Sequence, residues 1–167
     1  MRGKIGMANV KTNAVRLLDL KKVEYTLHEY DAPDGFMDGV SVAQATGIDP
    51  ERVYKTLVTQ GASKEYYVCV IPVAKELDLK KAAKYFGEKK IEMIPAKDIT
   101  KVTGYIKGGC SPVGMKKQFR TAIDASAGNF ERIVVSAGKV GLQMELPPQQ
   151  LAEAASASMT ELILFSN

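Results

Sequence analysis

The sequence predicts one α+β domain with a curled, largely antiparallel sheet. Three observations predict it. Amphipathic helical stretches and short alternating stretches follow one another without a regular βαβ rhythm. Seven of the 14 glycines fall between Gly104 and Gly141, set among strand-like runs. The chain has 167 residues, 46% hydrophobic and 25% charged, which is the size and composition of a single globular unit. At that length roughly 70% of the unfolded surface is buried, enough for one core. No internal repeat, low-complexity stretch or second boundary interrupts it.

Residues 1–11 carry positive charge but no apolar run, so they read as a disordered lead-in and not as a signal peptide; the domain runs 12–167. Asn13 to Lys22 fits a helix with Ala14, Leu17, Leu18 and Lys21 on one face and Thr12 or Asn13 as cap. Glu24 to Tyr30 alternates, with Tyr25 and Leu27 on one side and Thr26, His28 and Tyr30 on the other, as in a half-buried strand. Asp31 to Gly39 is a loop carrying Phe36 and Met37. Ser41-Val-Ala-Gln44 is a capping-box pattern opening a short helix that Gly47 closes. Asp49-Pro50-Glu51 starts a brief turn leading into a strand from Val53 to Thr59. After the turn Gly61-Ala-Ser63, Tyr66 to Val73 is apolar on both faces, which predicts a central strand.

Asp78 caps a helix through Phe86, stopped by Gly87. Lys90 to Met93 is a short strand and Pro95 to Ile99 a short helix. Strands are expected at Arg120 to Asp124, Arg132 to Ser136 and Leu142 to Leu146. Pro147-Pro148 ends the last of these and starts a helix from Gln149 to Ala155. The tail from Met159 to Phe165 is apolar enough to dock.

Small counts exclude several chemistries. There is one His, His28, and there are two Cys, Cys69 and Cys110. These cannot form a four-ligand Cys/His zinc site or a disulfide framework. A His-centred triad would have to use His28. The net charge of +4, with a pI near 9.0, is compatible with transient contact to a polyanion and equally with ordinary surface charge; a dedicated duplex-DNA binder usually concentrates more. No run approaches the ~18 apolar residues of a membrane span. A cytosolic setting is expected, with both thiols reduced.

Four stretches could carry chemistry. Lys55, in Val53-Tyr-Lys-Thr-Leu57, shares a strand face with Val53 and Leu57. Either that face is wet, as on a charged edge strand, or an ammonium points into apolar surroundings and needs an anion. Thr56 beside it is ordinary strand filler unless Lys55 marks a site. Gly104-Tyr-Ile-Lys-Gly108-Gly-Cys-Ser-Pro-Val-Gly114 is either a hairpin connection or a loop that aims N–H groups at an oxyanion. It matches neither the phosphate-binding P-loop nor the dinucleotide fingerprint. Cys110 within it has no base–orienter pattern to activate it. Val134-Val-Ser136-Ala-Gly138-Lys-Val-Gly141 is a strand ending in a second glycine turn.

Together, Val53-Tyr-Lys-Thr-Leu57, Pro72-Val-Ala74 with Leu77-Asp-Leu-Lys-Lys81, Gly104-Tyr105 with Gly108-Gly-x-Ser-Pro-x-Gly114, and Val135-Ser-x-Gly-Lys139 with Gly141-Leu142 resemble, in order, the YbaK/EbsC family. That family is related to the editing domain of bacterial prolyl-tRNA synthetases. The resemblance runs from about Thr12 to near the C-terminus and lies closest to the Cys-tRNA(Pro) deacylases.

It implies a barrel-like mixed sheet, no metal or other cofactor, and removal of cysteine from mischarged tRNA(Pro), with Cys-tRNA(Cys) as a further substrate. The implied partners are tRNA and prolyl-tRNA synthetase, with neither membrane nor DNA. Lys55 matches the residue contacting the terminal nucleotide region, with Thr56 beside it. Gly108, Gly109, Ser111 and Pro112 match the loop that presents backbone N–H groups; Gly108 and Gly109 are expected to face the oxyanion. Ser136 and Gly138 match the strand-end pair, and Tyr30 and Phe36 the pocket aromatics. The family mechanism is substrate-assisted, the substrate's thiol being the nucleophile. Two positions depart from the pattern: Cys110 replaces an aliphatic residue, and Gln143 replaces an Asp. Gln143 favours the rivals, a non-catalytic module binding tRNA ends or a synthetase, or a deacylase for another small amino acid such as alanine.

Overall fold

Thr12 accepts a hydrogen bond at Oγ1 from Val15 N–H and donates to the Ala137 carbonyl. One residue thus caps the first helix, α1 (Asn13–Leu20), and ties it to a distant strand. The computed structural model describes residues 11–32 and 38–165. Residues 1–10 of the expected lead-in, and Phe36, lie outside the described residues. Ala14, Val15 and Leu18 of α1 are buried, but Lys21, placed on that face by periodicity, is the exposed C-cap.

The remaining strands and helices are β1 (Thr26–Glu29), α2 (Gly39–Thr46), β2 (Tyr54–Gly61), β3 (Tyr66–Pro72), α3 (Leu79–Phe86), β4 (Ile91–Met93), α4 (Ile99–Thr103), β5 (Arg120–Asp124), β6 (Ile133–Lys139), β7 (Leu142–Leu146), α5 (Pro148–Ala155) and β8 (Ala157–Thr160). The class is α+β, as expected. The strands form two sheets, ordered β1-β7-β6 and β4-β2-β3-β5-β8. Four pairings are antiparallel, while β3–β5 and β5–β8 are parallel.

The expectation of a single curled, barrel-like sheet is corrected. Both strand orders are linear, and a single parallel bridge, Val53 to Val134, joins them. After β5 the chain enters a 3₁₀ turn, Ala125–Asn129, capped by Asp124, whose Oδ2 accepts from Ser126 N–H. That turn breaks the ladder before β6 begins.

Apolar alternation explains the layering. Val68 and Val70 of β3 face a core shared with α1, α5 and the three-stranded sheet, while Cys69 and Ile71 face α3 and Leu162. The strand is buried on both sides, between β2 and β5, as its continuous hydrophobic run predicts. Two local expectations shift. Helix α2 begins at Gly39 because Asp38, not Ser41, is its cap, accepting from Ser41 N–H at 2.8 Å. The C-terminal tail docks by adding β8 beside β5, and Leu162 N–H donates to Asp124 Oδ1 at 2.8 Å. Leu164 and Phe165 stay exposed. Among the described residues no helix is long and apolar enough to cross a membrane.

Candidate active site

Strand β2 carries Lys55 and Thr56 along one wall of a cavity of about 490 Å³. Tyr30, Ser136 and Gln143 form the wall from the three-stranded sheet. Asp38, Gly39, Val40 and Val42 come from the start of α2, and Met93, Ile94, Ala96 and Ile99 from the end of β4 and the segment leading into α4. Lys107, Gly108 and Cys110 come from the glycine loop. The cavity therefore sits where the two sheets part beyond the Val53–Val134 bridge.

Lys55 is half-buried and forms no ion pair among the described residues. Burial pushes its ammonium below the ordinary lysine value, with the Glu76 carboxylate partly opposing the shift. Two other polar atoms of the lining are buried without a hydrogen-bond partner: Thr56 Oγ1 and Gln143 Oε1. Such atoms are costly unless a ligand completes them. Asp38, at the rim, is held below the usual carboxylate range by the Ser41 N–H and hydroxyl it caps with.

The lining explains why Gln143 has no partner. It lies in register between His28 of β1 and Ser136 of β6. His28 Nε2 turns to Glu145 Oε1 at 2.7 Å, and Ser136 Oγ accepts from Gly138 N–H at 3.1 Å. Both neighbours are used elsewhere, so the amide of Gln143 is left to the cavity.

The glycine loop is pinned from inside. Tyr105 is buried and donates its hydroxyl to the Val113 carbonyl at 2.6 Å. Gly109 packs against the β6–β7 turn so closely that a Cβ there would lie 2.8 Å from Val140 N and 3.0 Å from Lys139 C. Its N–H donates to the Ile106 carbonyl at 3.0 Å. Ser111 is fully buried, with Oγ accepting from Val113 N–H, and Pro112 is buried beside it. Gly138, at φ +98°, forms the bulge of β6 and abuts Tyr105.

Of the residues singled out from sequence, Lys55, Gly108, Tyr30, Thr56 and Ser136 thus line the cavity. Gly109, Ser111, Pro112 and Gly138 stand behind it, holding the loop and the bulge in place. Sequence reasoning missed the rim acid Asp38 and the apolar wall of Met93, Ile94, Ala96 and Ile99. The apolar wall carries no local signal, because its role comes from where β4 leaves the sheet.

Nucleophile chemistry from the protein is poorly provided. Burial pushes the Cys110 thiol up to about 11, against a hydrogen bond involving Thr103 that acts the other way. Cys69 is deep in the core and is pushed up to about 12. The single imidazole is bound to Glu145 and does not line the cavity.

The family model for the aminoacyl-tRNA editing domain matches residues 37–154. The chain belongs to that family, whose work is editing of aminoacyl-tRNA. The Enterococcus faecalis protein named "Putative Cys-tRNA(Pro)/Cys-tRNA(Cys) deacylase EbsC" is 45% identical over 152 residues, covering 91% of this chain and 93% of its own. The YbaK/EbsC resemblance read from the motifs is borne out. A solved structure described as "a putative trans-editing enzyme for prolyl tRNA synthetase" shares the fold, with a TM-score of 0.79 and 20% identity over 94% of this chain and all of that one. The crystal structure of "hypothetical protein APE2540" does so at a TM-score of 0.83 and 20% identity, covering 92% and 100% of the two chains.

Proposed function

We propose that the protein is a trans-acting deacylase that removes cysteine from Cys-tRNA(Pro), and also from Cys-tRNA(Cys), with the substrate's own thiol as nucleophile. The observation that carries this reading is a cavity lined by an unpaired ammonium and two unpartnered polar atoms, without an activated protein nucleophile. Such a site can position an ester and stabilise charge, and an aminoacyl ester needs little more.

In the reaction the cysteine sulfur bonds to its own ester carbon. The bond from that carbon to the ribose oxygen breaks, and the thiol proton ends on the departing ribose hydroxyl. A cyclic thioester leaves and is opened by water. Lys55 anchors the 3′ end of the tRNA, with Thr56, Tyr30 and Ser136 around the aminoacyl group. Gly108 offers its backbone toward the ester, and Gly109, Ser111, Pro112 and Gly138 hold the loop that presents it. Mild basicity supports weak binding of tRNA alone, so prolyl-tRNA synthetase supplies selectivity for tRNA(Pro).

Gln143 is the observation that favours a second reading, since a neutral amide stands where family members often carry an acid. A deacylation panel separates the possibilities: Cys-tRNA(Pro), Cys-tRNA(Cys), Ser-tRNA(Pro) and Ala-tRNA(Pro) with the purified protein. Fast loss of cysteine with much slower loss of serine is expected. Equal rates for cysteine and serine would point to water attack. Preference for alanine would reassign the substrate, and inactivity on all four would leave a binding module.

A further inference from the structure

The outer edge of β2 is paired at both ends and open in the middle. At one end Val53 bridges Val134 of β6. At the other, β4 pairs from Thr59 onward, and Ile94 N–H donates to the Val58 carbonyl at 3.2 Å. Strand parity says what lies between. The Val53 carbonyl accepts from Val73 N–H, and Gly61 N–H donates to the Glu65 carbonyl, both on the β3 side. Odd-numbered residues of β2 therefore turn their main-chain polar groups toward β3, and even-numbered residues turn theirs outward. The Val58 carbonyl obeys this rule.

Thr56 is the even-numbered position between the bridge and the ladder. Its main-chain N–H and C=O face outward, and among the described residues no strand pairing takes up Thr56 on that side. Strand β6 is carried off by the irregularity between Ser136 and Lys139. The chain after β4 leaves through Pro95 into the 3₁₀ turn Ala96–Asp98. The gap so formed is the cavity. Tyr54, Lys55, Thr56 and Leu57 all line it, although their side chains alternate, as a strand seen edge-on requires. A second observation marks the same gap as a ligand site: Gln143, 6% exposed, points an unpartnered Oε1 into it, and Thr56 Oγ1 is likewise unpartnered.

An unpaired strand-edge N–H in a half-closed cavity is a preorganised donor. We propose that the main-chain N–H of Thr56 is an oxyanion donor of the editing reaction. As sulfur bonds to the ester carbon, the carbonyl electron pair moves onto oxygen, and the strand-edge N–H holds that oxyanion. When the pair returns, the bond to the ribose oxygen breaks, and the proton lost by the thiol completes the ribose hydroxyl. This role goes beyond the glycine loop, where the Gly109 N–H is taken by Ile106. It rests on the deacylase reading above.

The test uses two substitutions at one position. Thr56→Pro deletes the N–H at an outward-facing edge position, where the β2–β3 ladder does not use it. Thr56→Val keeps the N–H and the β-branch and deletes only Oγ1. In single-turnover deacylation of Cys-tRNA(Pro), Thr56→Pro should lose about 10²–10³-fold in rate, the usual cost of an oxyanion donor, while Thr56→Val, which gives up only the hydrogen bond of Oγ1, should lose no more than about tenfold. Equal activity of a folded Thr56→Pro and Thr56→Val overturns the proposal.

A second measurement covers the case in which Thr56→Pro does not fold. The amide resonance of Thr56 in the wild-type protein is followed on adding 3′-cysteinylamino-3′-deoxyadenosine, an amide that is not cleaved like the ester. A downfield shift of the Thr56 proton is expected. Shifts at Lys55 and Gly108 without one at Thr56 overturn the proposal. Inactivity of the wild type on every aminoacyl-tRNA overturns the deacylase reading and the oxyanion role with it. An active wild type with an indifferent Thr56→Pro overturns the oxyanion role alone.

Discussion

The Arg52 guanidinium donates to Glu145 Oε2 at 3.0 Å, joining the turn before β2 to strand β7. The pair crosses the junction of the two sheets, one step from the Val53–Val134 bridge. Arg52 also donates to the Arg132 carbonyl at 3.3 Å, and Glu145 receives His28 on its other oxygen. The clamp fixes how far Lys55 and Thr56 stand from Ser136 and Gln143. Arg52→Met should lower stability by about 1–3 kcal/mol, the range for losing hydrogen bonds to a charged group. It should also slow deacylation, because cavity width then varies. Urea unfolding and single-turnover rates measured on the same preparation check both.

Glu145 also predicts an acid limb of stability. Burial alone would raise its carboxyl; the hydrogen bonds from His28 and Arg52, with their charges, outweigh burial and hold it below the usual glutamate range. A lowered folded-state value means that the unfolded chain binds the proton more readily. The contribution is therefore present above the unfolded glutamate value of about 4.3 and is lost as pH falls through the lower, folded one. Melting temperatures from pH 7 down to pH 3 should fall less steeply for Glu145→Gln than for the wild type. Parallel curves would remove Glu145 from the acid transition.

Lys55 should trade stability for function. Its ammonium is disfavoured by burial and lacks an ion-pair partner among the described residues. A lysine lowered in the folded state destabilises the fold while charged, and the penalty is relieved as pH rises through the folded value. Lys55→Met should melt higher than the wild type at pH 7 and converge with it toward pH 10. The same variant should lose about 10- to 100-fold in deacylation, the equivalent of one charge-assisted hydrogen bond. Calorimetry across that pH range and the rate assay read the two effects separately.

Cys110 should be a bystander. With a thiol pushed up to about 11 it is protonated at neutral pH. Cys110→Ala should keep deacylation within about twofold, and iodoacetamide should label Cys110 slowly at pH 7.5 and faster above pH 10. A dead Cys110→Ala would overturn the substrate-assisted mechanism.

Gly109→Ala should damage the loop without touching its chemistry. The added Cβ would meet backbone, Val140 N and Lys139 C, which cannot swing aside. A loss of about 1–3 kcal/mol is expected, as for overpacking elsewhere. A neutral Gly109→Ala in thermal unfolding would show that the β6–β7 turn yields.

Much of the chain was legible locally. Asp78 caps α3, with its carboxylate accepting from Lys80 and Lys81 N–H, and Gly87 ends the helix at φ +78°. The doubly apolar run of β3 announced a central strand. The cap of α2 falls at Asp38 and not at Ser41, because the start of the helix depends on where it packs. Strand β8 left no signal, since Ala157–Thr160 is too short and mixed to announce a pairing with β5.

For the site, Lys55, Thr56, Gly108, Tyr30 and Ser136 could be placed from motif order. Their meeting in one cavity could not, nor could the supporting roles of Gly109, Ser111 and Gly138. The α+β class, most of the elements, the family and the restriction of any triad to His28 are legible in the sequence, because caps, periodicity and residue counts are local properties. Only the tertiary structure decided that the strands part into two sheets, that Gln143 is left without a partner, and that the edge of β2 stands open at Thr56. Those features depend on which distant strands run out of partners, and hydrogen-bond pairing between distant strands is not written in any single stretch of residues.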